Sequence, residues 1–204
     1  MPFRDSFNGT GWNVKKCLAA VFTLLLLSGC SRSDRDLNRA MALRQKVLSA
    51  ELCSFEADIT ADYGDTLHSF SVSCQGDRQG NIHFTVTKPE TIAGITGIVS
   101  ETGGQLTFDE TALQFELLAD DQLSPVSSPW IFLRTLRSGY LMNAGQEGDS
   151  LRVGARDSYE ENALMVDLWL NPEDLPERSE ILYGGRKILT LEISDFRMEP
   201  GKQV

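Results

Sequence analysis

The side chains that most often perform chemistry are few in this sequence and form no catalytic pattern. The chain of 204 residues has two histidines, His68 and His83, and four cysteines. No serine or cysteine stands in a nucleophile elbow, and there is no HExxH, phosphate-binding loop or GxGxxG pattern. We expect no enzyme, no metal site and no cofactor. We interpret the acidic clusters, none of which has calcium-loop spacing, as solvated turns: Asp58/Asp62/Asp65, Asp120/Asp121 and Asp157/Glu160/Glu161.

One cysteine, Cys30, follows a sequence signal with a defined chemistry. A basic pair, Lys15-Lys16, precedes an apolar run of eleven residues (17–27), too short for a bilayer-spanning helix of about 20 residues. A basic start, a short apolar core and small residues at its end are typical of a secretory signal. Residues 27–30 (LSGC) resemble the lipobox of bacterial lipoproteins, which implies cleavage before the cysteine and its thioether lipidation. The alternatives are an ordinary signal peptide with a chance cysteine, or a membrane anchor.

The residues before this signal do not look like its basic start. Residues 1–13 include Asp5 and two glycines, whereas a start at Val14 would give the compact signal VKKCLAA. A GTG codon can initiate translation in bacteria and reads as valine when it is internal. We assign residues 1–29 to the signal peptide and predict that residues 1–13 are a misassigned gene start.

The composition of the remaining chain limits its partners. Removing residues 1–29 leaves 175 residues, enough for one domain with its own core, and shifts the formal charge from −10 to −12. This acidic balance opposes binding to nucleic acid and polybasic attachment to anionic lipid. We therefore expect the lipid on Cys30 to hold the protein at the membrane. The predicted organisation is a lipidated cysteine with a short tether (30–35) and a single domain (36–204).

Two further cysteines, Cys53 and Cys74, lie in strands that alternate between apolar and polar residues. A hairpin with a two-residue tip at Tyr63-Gly64 pairs residues whose numbers sum to 127, and it places Cys53 opposite Cys74. The sequence thus predicts a cross-strand disulfide worth about 3 kcal/mol in an exported protein. The alternative is two buried free thiols.

Periodicity predicts about ten strands and two helices. A helix is expected over residues 34–51, followed by six short strands with turn signals up to residue 117. Ser128 is expected to cap a short, largely apolar helix that begins at Pro129 and ends at Gly139. Four strands follow over residues 151–196, and the last two form a hairpin across the turn signal Gly184-Gly185.

This order of elements behind a lipobox resembles the outer-membrane lipoprotein carrier and sorting family, the LolA/LolB-like fold. The resemblance rests on residues 80–118, with a strand, a Lys-Pro step, a strand and a Gly turn, and on the hairpin ILYGGRKILTLEISDF (181–196). It implies an α+β, mainly β fold: a strongly curved antiparallel sheet, or half-open β-barrel, around a hydrophobic cavity with the helices as a lid. The expected cavity-lining residues are Phe84, Phe115, Trp130, Phe132, Leu133, Leu136 and Trp169.

Two functions remain open at this point. The first is binding of a lipid, acyl chain or other hydrophobic ligand in lipoprotein sorting or another envelope function, although the same apolar residues could simply fill the core. The second is a protein-interaction lipoprotein that holds an envelope partner, such as a cell-wall amidase in spore germination, with Trp130 and Tyr140 as anchors. Either places the protein at the extracytoplasmic face of the cell membrane, or at an outer membrane. A continuous cavity would favour the first function, and a filled core with an exposed apolar patch the second.

Overall fold

The computed structural model describes residues 30–119, 122–160 and 163–201. The helices are α1 (Cys30–Ser49) and α2 (Ser128–Ser138), and a 3₁₀ turn (Pro125–Ser127) precedes α2. The strands are β1 (Ala50–Asp62), β2 (Leu67–Asp77), β3 (Ile82–Lys88), β4 (Thr96–Ser100), β5 (Gly103–Phe108), β6 (Thr111–Phe115), β7 (Leu118–Ala119), β8 (Gln122–Leu123), β9 (Tyr140–Glu147), β10 (Ser150–Arg156), β11 (Met165–Leu170), β12 (Pro176–Tyr183) and β13 (Arg186–Pro200). Neither described helix is long and apolar enough to cross a membrane.

Eleven of the described strands form one antiparallel sheet in the order β6-β5-β4-β3-β2-β1-β13-β12-β11-β10-β9. β6 and β9 lie at its two edges and do not pair with each other, so the sheet is curved and unclosed. β7 and β8 form a separate small pair. The predicted fold class is confirmed, and the strand count exceeds ten because β7, β8 and β9 lack a clear period-two pattern. The chain from Asp36 onward forms one compact unit.

The core follows the predicted alternation in β1 and β13, the two central strands. In β1, every second residue from Cys53 to Ala61 is buried. In β13 the same pattern holds from Leu189 to Ile193, and a bulge opposite β1 then inserts one residue. Asp195 adopts a φ of 52° there, so Phe196, and not the aspartate, turns into the core.

Three element boundaries differ from the prediction for local reasons. α1 runs over 30–49 and not 34–51, since β1 already begins at Ala50. β4 begins at Thr96, because residues 89–95 form turns in which the Gly94 N–H donates to the carbonyl of Val86. Ser128 is not the cap of α2: its hydroxyl donates to the carbonyl of Pro125 in the preceding 3₁₀ turn.

The predicted Cys53–Cys74 disulfide is wrong in this structure, in which both cysteines are buried free thiols. The β1–β2 loop has four residues, closed by the Tyr63 N–H donating to the carbonyl of Thr66 at 3.1 Å. The register is therefore displaced by two residues, so that Cys53 faces Gly76 and Cys74 faces Phe55. Such diagonal neighbours lie about 7–8 Å apart, beyond the Cα separation of about 4.4–6.8 Å that a disulfide spans.

Both thiols lie in surroundings that disfavour the reactive thiolate. Burial raises the pKa of Cys53, an effect that the nearby Arg137 guanidinium only partly offsets. Burial, with the nearby carboxylate of Glu56, raises the pKa of Cys74 well above its usual range. The thiolate is the nucleophile in alkylation and in disulfide exchange, so both cysteines are expected to be inert.

We predict that iodoacetamide leaves Cys53 and Cys74 unmodified in the native protein at mildly alkaline pH and alkylates both in concentrated urea without reductant. Peptide mass mapping of the two samples measures this. Alkylation that requires a reductant even in urea would mean that the pair is oxidised, in contradiction to the free thiols of the structure.

Candidate functional site

The short helix α2 occupies the concave side of the sheet, where the resemblance implied a cavity. It contacts β2, β12 and β13, and its apolar side chains are buried. The ring of Phe132 lies 5.4 Å from Phe55 and 6.2 Å from Phe196, centroid to centroid. Four expected cavity residues on this helix are therefore core residues: Trp130, Phe132, Leu133 and Leu136.

Polar contacts tie α2 to the rest of the domain at both ends. The Arg44 guanidinium of α1 donates from Nε to the carbonyl of Leu136 at 2.8 Å and from Nη2 to that of Gly139 at 2.6 Å. It thus satisfies carbonyls that are left free at a helix C-terminus. Burial lowers the pKa of Arg44, but an arginine stays protonated in a protein. At the other end, the Trp130 indole Nε1 donates to the carbonyl of Gly80 at 3.0 Å.

Two other expected cavity residues, Phe84 and Phe115, cover glycines of neighbouring strands. A Cβ atom on Gly97 would lie 2.6 Å from Cε1 of Phe84, and one on Gly104 would overlap the ring of Phe115. Phe84 is buried, and Phe115 is half-buried near the β6 edge. The rings therefore pack directly on the backbone and leave no space for a ligand between themselves and the sheet.

The seventh expected cavity residue, Trp169, lies on the opposite face of the sheet, which corrects the prediction. In β11 the buried residues are Val166, Leu168 and Leu170, so the pleat turns Trp169 outward. The guanidinium carbons of Arg152 and Arg178 each lie 5.3 Å from its ring centroid. This cation–π arrangement accounts for a large aromatic residue on the outer face.

Ion pairs surround this tryptophan and bind its arginines to the sheet. Arg152 Nη2 lies 2.7 Å from Asp167 Oδ2, and Arg178 Nη2 lies 2.6 Å from Glu180 Oε1. Desolvation acts to raise the pKa of Glu180, but hydrogen bonds from Lys187 and Arg178 outweigh it and hold that pKa below its ordinary value. The charges of this outer-face network are compensated internally.

The histidines and acidic residues form no metal-binding group in the part of the chain that the structure describes. His83 Nε2 lies 3.9 Å from Asp77 Oδ2 on the outer face, and the ring of His68 lies 6.2 Å from that of Tyr63. Within the described ranges, no three His, Cys, Asp or Glu side chains are placed to hold a metal ion.

An exposed apolar surface lies at the start of the edge strand β9, and we call it the edge patch. The rings of Tyr140 and Tyr159 are 3.7 Å apart between centroids. The side chains of Tyr159, Met142 and Met165 are 78%, 57% and 48% exposed. Leu182 of β12, half-buried beside Met165, completes the patch.

Sequence reasoning found only Tyr140 of this patch. Its other predicted anchor, Trp130, belongs to α2 and is only 5% exposed, too little to anchor a partner protein. Met142 gave no signal, because thioether side chains are common in protein cores and β9 has no period-two pattern. The one available signal was Met165 on the outward side of the predicted strand 163–170, beside Trp169.

No protein-family model and no curated protein matches this chain. Solved structures do match it. A LolA superfamily protein from Nitrosomonas europaea has 11% identity and a TM-score of 0.42, over 78% of this chain and 93% of that chain. The lipoprotein LppX of Mycobacterium tuberculosis has 10% identity and a TM-score of 0.41, over 83% and 95%.

A third match comes from the complex of the CwlD amidase with the GerS lipoprotein of Clostridioides difficile. It has 11% identity and a TM-score of 0.40, over 96% of this chain and 100% of that chain. The structures similar to this chain thus include LolA superfamily proteins and lipoproteins, as the resemblance of the sequence predicted. At these identities and TM-scores the likeness carries no conclusion about ligand or partner.

Proposed function

We propose that this chain is a lipid-anchored extracytoplasmic protein that docks a protein of the cell envelope on the edge patch. The observation that carries the proposal is the pairing of a filled concave face with an exposed apolar surface at a sheet edge. Phe132 is fully buried where a ligand would sit, whereas Tyr159 and Met142 are mostly exposed. Exposed apolar side chains grouped at a sheet edge are typical of interaction sites, and here Arg156 lies between Tyr140 and Met165.

Binding of an acyl chain inside the sheet, the other candidate function, would require α2 to leave. Its five buried apolar side chains, from Trp130 to Leu136, each contribute about 1.5–3 kcal/mol by burial. Their sum is comparable to the whole stability of a domain, about 5–15 kcal/mol. The hydrogen bonds from Arg44 and Trp130 would also be lost. The geometry therefore favours the docking function.

The edge strand beside the patch suits the addition of a partner strand. β9 pairs with β10 on one side and with no described strand on the other, which leaves backbone donors and acceptors free over Tyr140–Glu147. Edge strands are commonly protected by proline or lysine, and β9 (YLMNAGQE) contains neither. A partner segment could add to β9 through its backbone while its side chains contact Met142 and Met165.

The side chains of the edge patch are exposed although α1 binds the chain directly before β9, where Arg44 donates to the carbonyl of Gly139. Arg39 of α1 is ion-paired at 2.6 Å with Asp174, in the turn between β11 and β12. The register of β9, β10 and β11 places Tyr140, Arg156 and Met165 side by side at the other end of these strands. The exposure of Tyr159, Met142 and Met165 shows that α1 leaves these side chains uncovered.

We predict that Cys30→Ser moves the protein from the membrane fraction to the soluble or secreted fraction or leaves it as uncleaved precursor, because the surface charge of the acidic domain opposes electrostatic attachment to a bilayer. Fractionation and intact mass measure this: the wild-type mature chain should begin at Cys30 and carry covalent diacylglycerol. An unlipidated wild-type protein, or one that begins elsewhere, would refute the anchor.

We predict that a photo-crosslinking residue at position 159 captures a specific envelope protein in intact cells. Met165→Glu should reduce this crosslink at least 10-fold, because it places a charge in a contact that must be desolvated. The matched control is Leu113→Glu, at a leucine on the other sheet edge that is 64% exposed. Equal loss in both variants, or an unchanged crosslink in Met165→Glu, would contradict docking at the edge patch.

A further inference from the structure

A second surface lies on the opposite side of α2 from the core, and we call it the arginine groove. It is an open groove of about 610 Å³ between the exposed side of α2, the β2–β3 turn (residues 78–81) and the β4–β5 turn (residues 101–102). Arg134 and Arg137 of α2 and Arg78 of the β2–β3 turn line it. Glu101 is the one acidic residue among the groove's lining side chains.

The three groove arginines differ from three arginines of the outer sheet face and the β12–β13 hairpin in how their charge is balanced. Arg152, Arg178 and Arg186 each lie 2.6–3.1 Å from a carboxylate oxygen. In the groove the separations exceed hydrogen-bond distance: 3.7 Å from Arg78 to Glu51 and 3.9 Å from Arg134 to Asp157. Arg137 has no carboxylate partner among the described residues and donates to the backbone carbonyl of Asp77 at 2.8 Å.

The groove is held in place before any ligand binds. The carboxylate of Asp77 accepts from both the backbone and the side-chain amide of Asn81, at 2.9 and 2.8 Å, which fixes the β2–β3 turn. The hydrogen bond from Trp130 to Gly80 then joins this turn to α2. The guanidinium of Arg134 lies over the Trp130 ring, 5.0 Å from its centroid. Such preorganisation lowers the entropic cost of binding.

Two of the arginines are spaced to act on one anion. Arg134 and Arg137 are three residues apart on α2, a spacing that places side chains on the same helix face. Guanidinium groups donate in a planar fork that matches phosphate oxygens in bidentate geometry. The mostly buried side chains of Trp130, Leu133 and Ile82 line the groove beside these donors. The whole chain has a net charge of −10, so its overall charge does not explain a local cluster of arginines.

We propose that the arginine groove binds the phosphate group of an organic phosphate ester. Arg134 and Arg137 hold the phosphate oxygens, Arg78 adds charge at the rim, and the carbon-bearing part of the ester lies against Trp130 and Leu133. Two sources share this chemistry, the headgroup of a phospholipid and a soluble phosphate ester. The site is separate from the edge patch, so either proposal can fail without the other.

Calorimetric titration of the detergent-solubilised full chain tests this site with two probes. They are glycerol 3-phosphate and a phosphatidic acid with two six-carbon acyl chains, used below its micelle concentration. We expect saturable binding of at least one probe and none of glycerol. Binding of the short-chain lipid at least 10-fold tighter than glycerol phosphate identifies a lipid headgroup, and comparable binding identifies a soluble ester.

Variants decide whether the groove is responsible. Arg134→Gln and Arg137→Gln together should weaken binding at least 10-fold, and Arg78→Gln, at a side chain 68% exposed, should weaken it several-fold without disturbing the fold. Glu101→Gln should tighten binding, since it removes the negative charge from the groove. The matched control is Arg197→Gln, an exposed arginine on β13.

The proposal is overturned if neither probe binds, if the double variant binds like the wild type, or if Arg197→Gln weakens binding as much as the groove variants do. An unchanged affinity in Glu101→Gln would equally contradict the electrostatic account of the site. Thermal unfolding of each variant separates loss of binding from loss of fold, and Arg78→Gln keeps the test valid if the double variant is unstable.

Discussion

The packing of α2 into the concave face of the sheet is the constraint on which the rest of this structure depends. The sheet is unclosed, so its inner face would be open to water without a covering element. Phe132 fills that face by contact with Phe55 and Phe196, and the bulge at Asp195 is what brings Phe196 into reach. A helix in this position buries its apolar side chains against the inner face of the sheet.

The same helix connects the two surfaces for which we propose roles. Its buried side completes the core, while its exposed side carries Arg134 and Arg137 into the arginine groove. After α2 the chain enters β9 at Tyr140, the first residue of the edge patch, and Arg44 binds the carbonyls at this junction. A single short element thereby positions both of these surfaces, which share no residue.

Sequence reasoning recovered the parts of this fold that depend on local pattern. The alternation of β1, the apolar helix ending at Gly139 and the hairpin that pairs Tyr183 with Arg186 are all present as expected. Register was not recoverable, because the length of the β1–β2 loop depends on hydrogen bonds at its tip, and two extra loop residues, Asp65 and Thr66, displace Cys74 from its place opposite Cys53. The face occupied by Trp169 was misjudged because flanking arginines stabilise an exposed indole, which apolar patterning does not reveal.

Native-state hydrogen exchange of the α2 amides, residues 131–138, tests most directly whether this helix is part of the core or a lid. We predict that these amides exchange with the same free energy of opening as the central strands β1 and β13, since Phe132 and Leu136 can be exposed only when the core opens. Exchange of α2 through a separate opening of much lower free energy, with β1 and β13 still protected, would show that the concave face opens on its own. That result would contradict the filled-core account and favour binding of a ligand beneath the helix.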